Sequence, residues 1–395
     1  MAEWVECSIG DLCSTISDTY KGNDEYVVLV NTSDVLEGKV LNHETVANKN
    51  LKGQFKKTFK RDDILYSEIR PANKRFAYID FENTSNYIAS TKLMVLRHNE
   101  KVLPEYLFAL LKSNYVITEL QHLAETRSGT FPQITFSSEL APMKVFLPDK
   151  DTQKRIVSIL SSIEQKIDKN NEINNNLEQQ MQALFNEYLS SNKFCDLTTV
   201  KDVVLSANTG ADAIQKAPIV DYDTGIRCIR VGDMTNNRSF HDWGFTKVTD
   251  DVFKRYQLHK DDIVVTRTAS LGLNTIISED LPAVYNNGLI RLTVNTSNVL
   301  PLYLFRQFQT EDFSNYIACI ESETSVRPNM KINYLLKYKF ILPPITKQNE
   351  IIALLTPMLN QQNNLIVENK HLEALRDTLL PKLMSGELDV SDTEI

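Results

Sequence analysis

Two long stretches of the chain repeat apolar residues at alternating steps of four and three. The first runs from Ile156 to Tyr188 and the second from Ile351 to Leu383. This spacing is typical of a coiled-coil seam, in which a buried Asn, as at the matching positions Asn174 and Asn369, fixes the register. The seam positions that we assign to helix and subunit contacts are Ile163, Ile167, Leu177, Met181, Leu184, Met358, Leu365, Leu372 and Leu379. Ordinary core packing within a globular domain is the alternative.

Local signals predict a short helix or a break near 150–160 and 345–355, before each long helix. Ser161 and Glu164 have the spacing of a capping box, and Thr356 is followed by Pro357, which is typical of an N-cap. The first long helix is therefore predicted over about 162–190, a length of ~43 Å. We expect the two helices to pair antiparallel. The apolar positions left for partner subunits would include Ile173, Leu375 and Leu380.

The same plan occurs twice along the chain, at an offset near 195 residues. Leu147-Pro148 followed by Gln153 matches Leu342-Pro343 followed by Gln348, and Asp62-Asp63-Ile64 matches Asp261-Asp262-Ile263. A period of this length indicates an internal duplication rather than a solenoid. The predicted order is a globular domain at 1–148, a helical spacer at 149–192, a second domain at 193–343, and a second spacer with a tail at 344–395.

Each globular half contains short runs that favour strands. In the first half these runs are 26–30, 63–66, 93–96 and 144–147, and in the second half 262–265, 289–292 and 339–342. Segments 103–111 and 300–308 open with proline and predict helices. The expected fold class is α+β, with two tandem mixed α/β domains separated by long helices.

Composition excludes several classes of protein. The 395 residues include five cysteines without a CxxC pair, and GxxxxGK[ST], HExxH and GxSxG are absent. Neither a P-loop, a dedicated zinc site nor a hydrolase nucleophile elbow is therefore expected. The longest apolar runs are far shorter than a membrane helix needs, and the first residues lack an apolar signal core. We expect a cytoplasmic protein with reduced thiols.

Charge gives conflicting indications about nucleic acid. The net charge of −8 counts against a DNA-binding protein. A basic stretch nevertheless runs from Lys52 to Arg75, and its eight basic residues would suit phosphate contacts. Only Asp62, Asp63 and Glu68 oppose them. These three carboxylates are a weak candidate for a nuclease site, because the expected lysine is missing. A solvated surface is the alternative for the basic stretch.

The closing motif Leu379-Leu380-Pro381-Lys382-Leu383-Met384-Ser385-Gly386-Glu387-Leu388 and the two Leu-Pro-x4-Gln openings resemble the specificity subunits of Type I restriction-modification systems. The first copy of the closing motif, at 184–191, departs by lacking Pro and Gly. The resemblance implies two target recognition domains with pseudo-two-fold symmetry. It also implies a non-catalytic chain that binds double-stranded DNA, modification (methyltransferase) subunits and a restriction subunit. S-adenosylmethionine, ATP and Mg²⁺ would belong to those partners, and this chain would hold no metal. The target would be bipartite and non-palindromic.

Candidate DNA contacts follow equivalent predicted strands. They are Arg70, Lys74 and Arg75 in the first half, and Arg267, Thr268 and Ser270 in the second. Two later loops add Arg127, Thr130, Gln133, Arg327 and Asn329. Arg and Lys can read guanine or neutralise phosphate, so base contact, phosphate contact and simple solvation all stay open. The competing functions are a stand-alone nuclease or methyltransferase, and a coiled-coil scaffold without a DNA role.

Overall fold

The structure, a computed structural model, describes residues 4–49, 53–126, 132–192, 196–322 and 328–391. The chain divides into two compact units. Unit 1 comprises residues 1–170 and 366–395, and unit 2 comprises residues 171–365. Each unit therefore contains a globular part and one half of each long helix.

Unit 1 contains twelve strands within its described residues. They are β1 (Val5–Ser8), β2 (Cys13–Ile16), β3 (Tyr26–Val30), β4 (Val35–Leu36), β5 (Lys39–Val40), β6 (Thr45–Ala47), β7 (Phe55–Lys57), β8 (Ile64–Ser67), β9 (Phe76–Tyr78), β10 (Tyr87–Ser90), β11 (Leu93–His98) and β12 (Lys144–Leu147). The helices α1 (Pro104–Leu111) and α2 (Asn114–Thr126) precede the first long helix, α3 (Lys150–Ser191). The predicted strands and the proline-opened helix of this half are confirmed.

Unit 2 has ten strands in its described part. They are β13 (Leu197–Thr199), β14 (Val204–Thr209), β15 (Ile219–Val220), β16 (Arg227–Ile229), β17 (Gly244–Thr246), β18 (Ile263–Thr266), β19 (Asn274–Ile276), β20 (Ala283–Tyr285), β21 (Leu289–Val294) and β22 (Lys339–Ile341). Its helices are α4 (Val200–Val203), α5 (Val231–Thr235), α6 (Asp250–Tyr256), α7 (Pro301–Gln307), α8 (Glu311–Ser322), α9 (Ile332–Lys337) and the second long helix, α10 (Ile345–Ser385).

Two four-stranded sheets form the globular part of unit 1. Their strand orders are β6-β3-β10-β7 and β2-β11-β8-β9. Alternate residues of β8 face opposite ways, because Leu65 joins the core between the sheets while Ile64 and Tyr66 join the core beneath α1 and α2. This two-residue period is what a sheet buried on both faces requires.

Unit 2 repeats this arrangement. Its sheets have the orders β14-β21-β18-β19 and β15-β17-β16-β20. The parallel pair β16 and β20 corresponds to the parallel pair β3 and β10. A two-stranded antiparallel ribbon leads into each long helix, formed by β1 with β12 and by β13 with β22. The structure thus confirms the duplication inferred from the sequence.

Both long helices begin earlier than predicted and contain no break. α3 spans Lys150–Ser191 and α10 spans Ile345–Ser385. The predicted N-terminal caps at Ser161 and Thr356 are therefore wrong. Each hydroxyl lies inside its helix and donates to a carbonyl of the preceding turn, at 3.2 Å for Ser161 and 2.7 Å for Thr356. Ser and Thr commonly bond in this way within helices.

Burial explains the early start of α3. Asp149 provides the cap, since its carboxylate accepts from the backbone N–H of Thr152 at 2.8 Å and from the hydroxyl of Thr152 at 3.0 Å. The backbone hydrogen bond lowers the pKa of Asp149. Ile156 and Leu160 follow in the next turns and are buried in the core of unit 1. Their burial stabilises the first three turns and outweighs the weaker cap signal at Ser161.

Within unit 1, α3 and α10 run antiparallel. The side-chain amide of Asn170 donates to Asn369 and to Glu368, both at 2.9 Å. Leu160 lies ten residues before Asn170 and shares a core with Leu380, eleven residues after Asn369. Earlier residues of α3 therefore meet later residues of α10. The contact between Asn170 and Asn369 therefore pairs residues that are not repeat counterparts.

The two helices also run antiparallel within unit 2. The side chain of Gln362 donates to the carbonyl of Asn174 at 3.0 Å. Farther along α3, Met181 and Phe185 share a core with Leu355, which precedes Gln362 in α10. The predicted antiparallel pairing is therefore present in each unit taken by itself.

Most positions of the predicted seam are buried or half-buried, but the buried face shifts near the end of each helix. Ile163, Leu177 and Met181 are buried, Ile167, Met358, Leu365, Leu372 and Leu379 are half-buried, and Leu184 is exposed. Leu184 does not lie in the buried seam, because Phe185 is the buried residue at this turn, and a subunit contact at Leu184 stays a prediction. Phe185 packs against Tyr303 of α7, with ring centroids 5.4 Å apart. The last turns of α3 therefore follow the surface of the globular part.

The same shift occurs at the end of α10. Leu380, expected to remain available for partner subunits, is 7% exposed and belongs to the core of unit 1. That expectation is wrong for Leu380. Ile173 is half-buried and Leu375 is exposed. None of the helices in the described part of the chain combines the length and apolar character that a membrane crossing requires.

A buried glutamine joins each globular part to its helix. The side-chain oxygen of Gln153 accepts from the N–H of Leu103 at 2.9 Å, and its amide donates to the carbonyls of Pro148 and Lys101 at 2.9 and 3.3 Å. Gln348 makes the corresponding bonds to Leu300, Pro343 and Asn298 at 2.8, 2.8 and 3.3 Å. These bonds give the repeated Leu-Pro-x4-Gln motif its physical role.

Candidate nucleic-acid interface

In unit 1, the structure brings together two of the predicted contact loops. The loop after β8 forms an isolated antiparallel bridge between Ile69 and Gln133. The backbone N–H of Arg70 also donates to the carbonyl of Pro132 at 3.2 Å. The segments that carry Arg70 and Gln133 are far apart in sequence, yet they form one surface.

The matching loops of unit 2 meet in the same way. Thr268 forms an isolated bridge with Asn329, and the N–H of Met330 donates to the carbonyl of Arg267 at 2.8 Å. The guanidinium of Arg267 donates to the Asn329 side chain at 2.8 Å and to the carbonyls of Met330 and Asn287 at 3.1 and 3.3 Å. Arg267 therefore holds three segments together, which makes it a positioning residue of this surface.

A helix side chain anchors each of these loops. In unit 1, the N–H of Ala72 donates to Gln121 of α2 at 3.0 Å, and in unit 2, the N–H of Leu271 donates to Glu321 of α8 at 3.4 Å. Sequence reasoning missed both α2 and these anchors. The sequence did contain a signal for them, since Gln121 and Glu321 are separated by nearly the same number of residues as the strands β8 and β18.

The anchored loops contain residues in the left-handed backbone region. The φ angles are +46° for Arg70, +52° for Lys74 and +62° for Ala269. Such angles are uncommon outside glycine, and they cluster where the surrounding structure fixes a functional loop. A short 3-10 turn, Pro71–Asn73, separates Arg70 from Lys74. The backbone therefore places these two side chains in defined positions.

The three basic candidates of unit 1 play different parts. Arg70 and Lys74 are exposed, and the ammonium of Lys74 lies 3.3 Å from Glu37. Arg75 is half-buried and donates to the carbonyls of Ser33 and Val35, at 3.0 and 3.4 Å. Arg75 thus supports the neighbouring turn, whereas Arg70 and Lys74 present charge at the surface.

The remaining predicted positions are only partly described. Thr268 and Ser270 are half-buried, and the carbonyl of Ser270 accepts a hydrogen bond from the hydroxyl of Thr266. The predicted contacts that lie outside the described residues are Arg127, Thr130 and Arg327, together with Lys52 of the basic stretch.

Several arginines of unit 2 support its structure. The guanidinium of Arg227 stacks on Phe245, 3.9 Å from the ring centroid, and donates to the carbonyl of Trp243 at 2.5 Å. Arg238 lies 3.3 Å from the buried carboxylate of Asp233. Arg227 and Arg238 therefore stabilise the fold of unit 2 through these contacts.

The carboxylates considered as a nuclease site have structural partners. Asp63 is fully buried and accepts two hydrogen bonds from Arg97, both at 2.7 Å. Asp62 accepts from the hydroxyl of Tyr78 at 2.6 Å. The counterpart of Asp63 is Asp262, which is 3% exposed and accepts from His259 and Thr293, both at 2.9 Å. No group of three or more His, Cys, Asp or Glu side chains in the described part of the chain could hold a metal ion.

Comparison with known proteins gives a consistent result over both halves. Residues 1–179 and 197–374 each match the family model of the Type I restriction modification DNA specificity domain. The Type I restriction enzyme HindI specificity subunit of Haemophilus influenzae is 29% identical over 477 residues, covering 98% of this chain and all of that protein. The MjaIX specificity subunit of Methanocaldococcus jannaschii is 23% identical over 328 residues, covering 74% of this chain and 70% of that protein.

A solved structure shares the fold. The S subunit of a Type I restriction-modification system from M. genitalium superposes with a TM-score of 0.51 at 13% identity. The alignment covers 97% of this chain and 96% of that structure. At this level of identity the similarity supports the two-domain architecture alone.

Proposed function

The chain belongs to the Type I restriction modification DNA specificity family, and from this premise we propose that each of its two units reads one part of a divided DNA target. Membership gives the chain its general role, which is that of a non-catalytic DNA-recognition subunit in a restriction-modification complex. The finer assignment of bases, loops and partners is our proposal. It rests chiefly on one observation. In each unit, the loop after the central strand, β8 or β18, forms a backbone bridge to a later loop of the same unit.

The recognition domains would comprise about 1–148 and 193–343, with the loops at Arg70 and Thr268 facing DNA. Arg70 and Lys74 are the side chains best placed to contact it, because both are exposed on an anchored loop. Arg267, whose guanidinium donates to three protein groups, would shape the second loop. Since the two halves differ in sequence at these loops, the two parts of the target should differ and the whole should not be palindromic.

The partners would be modification (methyltransferase) subunits and a restriction subunit, as the family role requires. S-adenosylmethionine would be bound by the modification subunits, and ATP and Mg²⁺ would act in the restriction subunit. Turnover of DNA by the purified chain, supplied only with S-adenosylmethionine or Mg²⁺, would contradict the proposal.

Sequencing of methylated bases tests the divided target directly. Host DNA should contain a methylated motif with two short specified parts and an unspecified gap, and the motif should disappear when the gene is deleted. Exchange of the second globular half for that of another family member should change one part only. A change in both parts would contradict the assignment of one part to each unit.

The role of Arg70 can be separated from general attraction to DNA. If Arg70 reads a guanine, Arg70→Ala should cost about 1–3 kcal/mol of binding free energy and relax one position of the target. Arg61→Ala is a matched control, because Arg61 precedes β8, at the end of the strand opposite to Arg70, and pairs with Glu82 at 2.5 Å. Equal losses on all DNA sequences would instead identify Arg70 as a phosphate contact.

A further inference from the structure

The two units differ at one position where each long helix lies against the globular part. In unit 2, α7 carries Arg306, which is 1% exposed. Its guanidinium donates to Glu178 of α3 at 2.5 Å and contacts the sulfur of Met181 at 3.3 Å. A buried arginine needs a charged partner, and Glu178 supplies it from the long helix.

The duplication identifies the corresponding position in unit 1. The α1 sequence Pro104-Glu105-Tyr106-Leu107-Phe108-Ala109 aligns with the α7 sequence Pro301-Leu302-Tyr303-Leu304-Phe305-Arg306. Ala109 therefore replaces Arg306. On the long helix, Glu373 corresponds to Glu178 at the repeat offset. Unit 1 thus keeps the acidic partner but lacks the arginine.

A cavity of about 500 Å³ lies at this position in unit 1, and both Ala109 and Glu373 line it. Phe108, Tyr78 and Ile167 form its apolar walls. A small side chain at position 109 leaves open the space that the long arginine fills in unit 2. The residue of α1 that would correspond to Arg306 therefore contributes no basic side chain to this cavity.

The charges around the cavity favour a cation. Its lining contains the carboxylates of Glu37, Asp80, Glu105, Glu164, Asp168 and Glu373 and the bases of Lys39, Lys112 and Arg376. Lys39 pairs with Asp168, Lys112 with Glu164, and Glu37 with Lys74 outside the lining. Arg376 pairs with its neighbour Asp377 at 2.8 Å. Among the residues that the structure describes, Asp80, Glu105 and Glu373 have no ion-pair or hydrogen-bond partner.

We propose that this cavity receives an arginine side chain from a protein subunit that docks against unit 1. The inference rests on the proposed function, which requires such subunits, and adds the chemistry of their contact. A guanidinium would pair with Glu373 as Arg306 pairs with Glu178. Its flat face would stack on Tyr78, a geometry that suits arginine better than lysine. Unit 2 fills the same position with its own arginine, so the docking site is specific to unit 1.

Filling the cavity from within the chain provides the first test. Ala109→Arg would copy Arg306 and supply Glu373 with an internal partner. We expect the variant to keep its unfolding temperature and to bind the modification subunits about tenfold more weakly or worse, as measured by dilution of the assembled complex. Binding equal to wild type in a folded variant would overturn the proposal.

Removing the charge provides a second test that does not depend on folding of the first variant. Glu373→Gln keeps the size of an exposed side chain, so the fold should be unaffected while binding of the modification subunits weakens by about threefold to tenfold. Glu350→Gln is the matched control, since it makes the same change on α10 within unit 2, where Glu350 pairs with Lys347. Equal binding by Glu373→Gln and Glu350→Gln would also overturn the proposal.

Chemical modification can identify the incoming residue. In the wild-type complex, one arginine of the modification subunit should be protected from phenylglyoxal, and the Glu373→Gln complex should lose that protection. Protection that is identical in both complexes would count against the cavity. The methylated motif reports separately on DNA recognition, because the variants leave the loops at Arg70 and Thr268 unchanged. A wild-type complex without any specific motif would instead refute the proposed function.

Discussion

Gln348 is expected to be a main determinant of how unit 2 is joined to α10. The side chain is fully buried. Its oxygen accepts from the N–H of Leu300 at 2.8 Å, and its amide donates to the carbonyls of Pro343 and Asn298 at 2.8 and 3.3 Å. Leu300 immediately precedes α7. Pro343 follows Leu342, the first residue after β22. One amide therefore ties the start of the long helix to two different parts of the globular fold.

The size of the effect follows from the groups that Gln348→Ala leaves unpaired. One buried N–H loses its acceptor, at a cost of about 1–3 kcal/mol, and a small cavity remains. The two carbonyls lose a shared donor, which adds less because a carbonyl tolerates partial satisfaction better. We therefore expect Gln348→Ala to lower the free energy of unfolding of unit 2 by about 2–4 kcal/mol, a large part of a typical domain stability.

Tryptophan fluorescence can follow unit 2 separately. The chain has two tryptophans, of which Trp243 is buried in unit 2 and Trp4 belongs to unit 1. In a Trp4→Phe background, urea titration should report the loss in unit 2 alone. Gln361→Ala is the matched control, since Gln361 is exposed on the same helix. A change of less than about 0.5 kcal/mol for Gln348→Ala would refute the reasoning, since exposed sites commonly vary by that amount.

Three further predictions concern the core, the thiols and the helices. Arg97→Met should destabilise unit 1 by about 3–5 kcal/mol, because Asp63 would keep a buried charge without its partner. Urea denaturation measures this loss, and the double variant with Asp63→Asn should recover much of it. Burial raises the pKa of Cys13 to about 12 and that of Cys228 to about 11, whereas Cys319 is exposed. A thiol reagent at pH 8 should therefore label Cys319 in the folded chain and spare Cys13 and Cys228. Peptide mapping measures the labelling, and label on Cys13 or Cys228 would contradict the prediction. Because the folded pKa values exceed the ordinary value of 9.0, the stability that these thiols contribute is present below pH 9 and is lost as the pH rises towards 11 to 12. Insertion of one heptad into each long helix adds ~10 Å of helix, so the gap of the methylated motif should lengthen by about three base pairs. An unchanged gap would show that the helices do not set the spacing.

Local pattern was sufficient to predict seven of the strands, among them the central strand of each globular half. The run Ile64-Leu65-Tyr66 is apolar throughout, and such runs are typical of strands buried on both sides. In the structure these residues do alternate between two cores. The helix at 104–111 was equally predictable, because proline at the first helical position supplies the correct φ angle and needs no hydrogen-bond partner.

The positions at which the long helices begin and end are set by tertiary contacts, which a local sequence pattern does not contain. The signals at Ser161 and Thr356 were real in isolation, but burial of Ile156 and Leu160 extended α3 towards its N-terminus. Near the C-terminus, the surface that covers the helix changes from another helix to a globular core. The buried position consequently moves from Leu184 to Phe185, which the heptad pattern alone cannot anticipate.

The candidate interface was predictable in its location but not in its chemistry. Matching the loops after equivalent strands led to Arg70 and Arg267, and both lie where two loops meet. The structural role of Arg267 depends on Asn329 and Met330, more than sixty residues away in the sequence. Only the folded chain shows that Arg70 is exposed while Arg267 holds the loops together.

The two copies keep some features and vary others, and the division has a physical meaning. Both copies retain the glutamine at the start of the long helix, the buried aspartate before the central strand, and the helix side chain that anchors the contact loop. Each of these fixes backbone geometry. The copies differ in the side chains that the anchored loops present and in the residue, Ala109 or Arg306, that meets the acidic position of the long helix. Because the backbone geometry is the same in both copies and the surface side chains vary, the two halves of one chain present different residues from equivalent positions. The same argument explains why an arginine can be internal in one unit and supplied by a partner in the other, since the acidic receptor is retained in both.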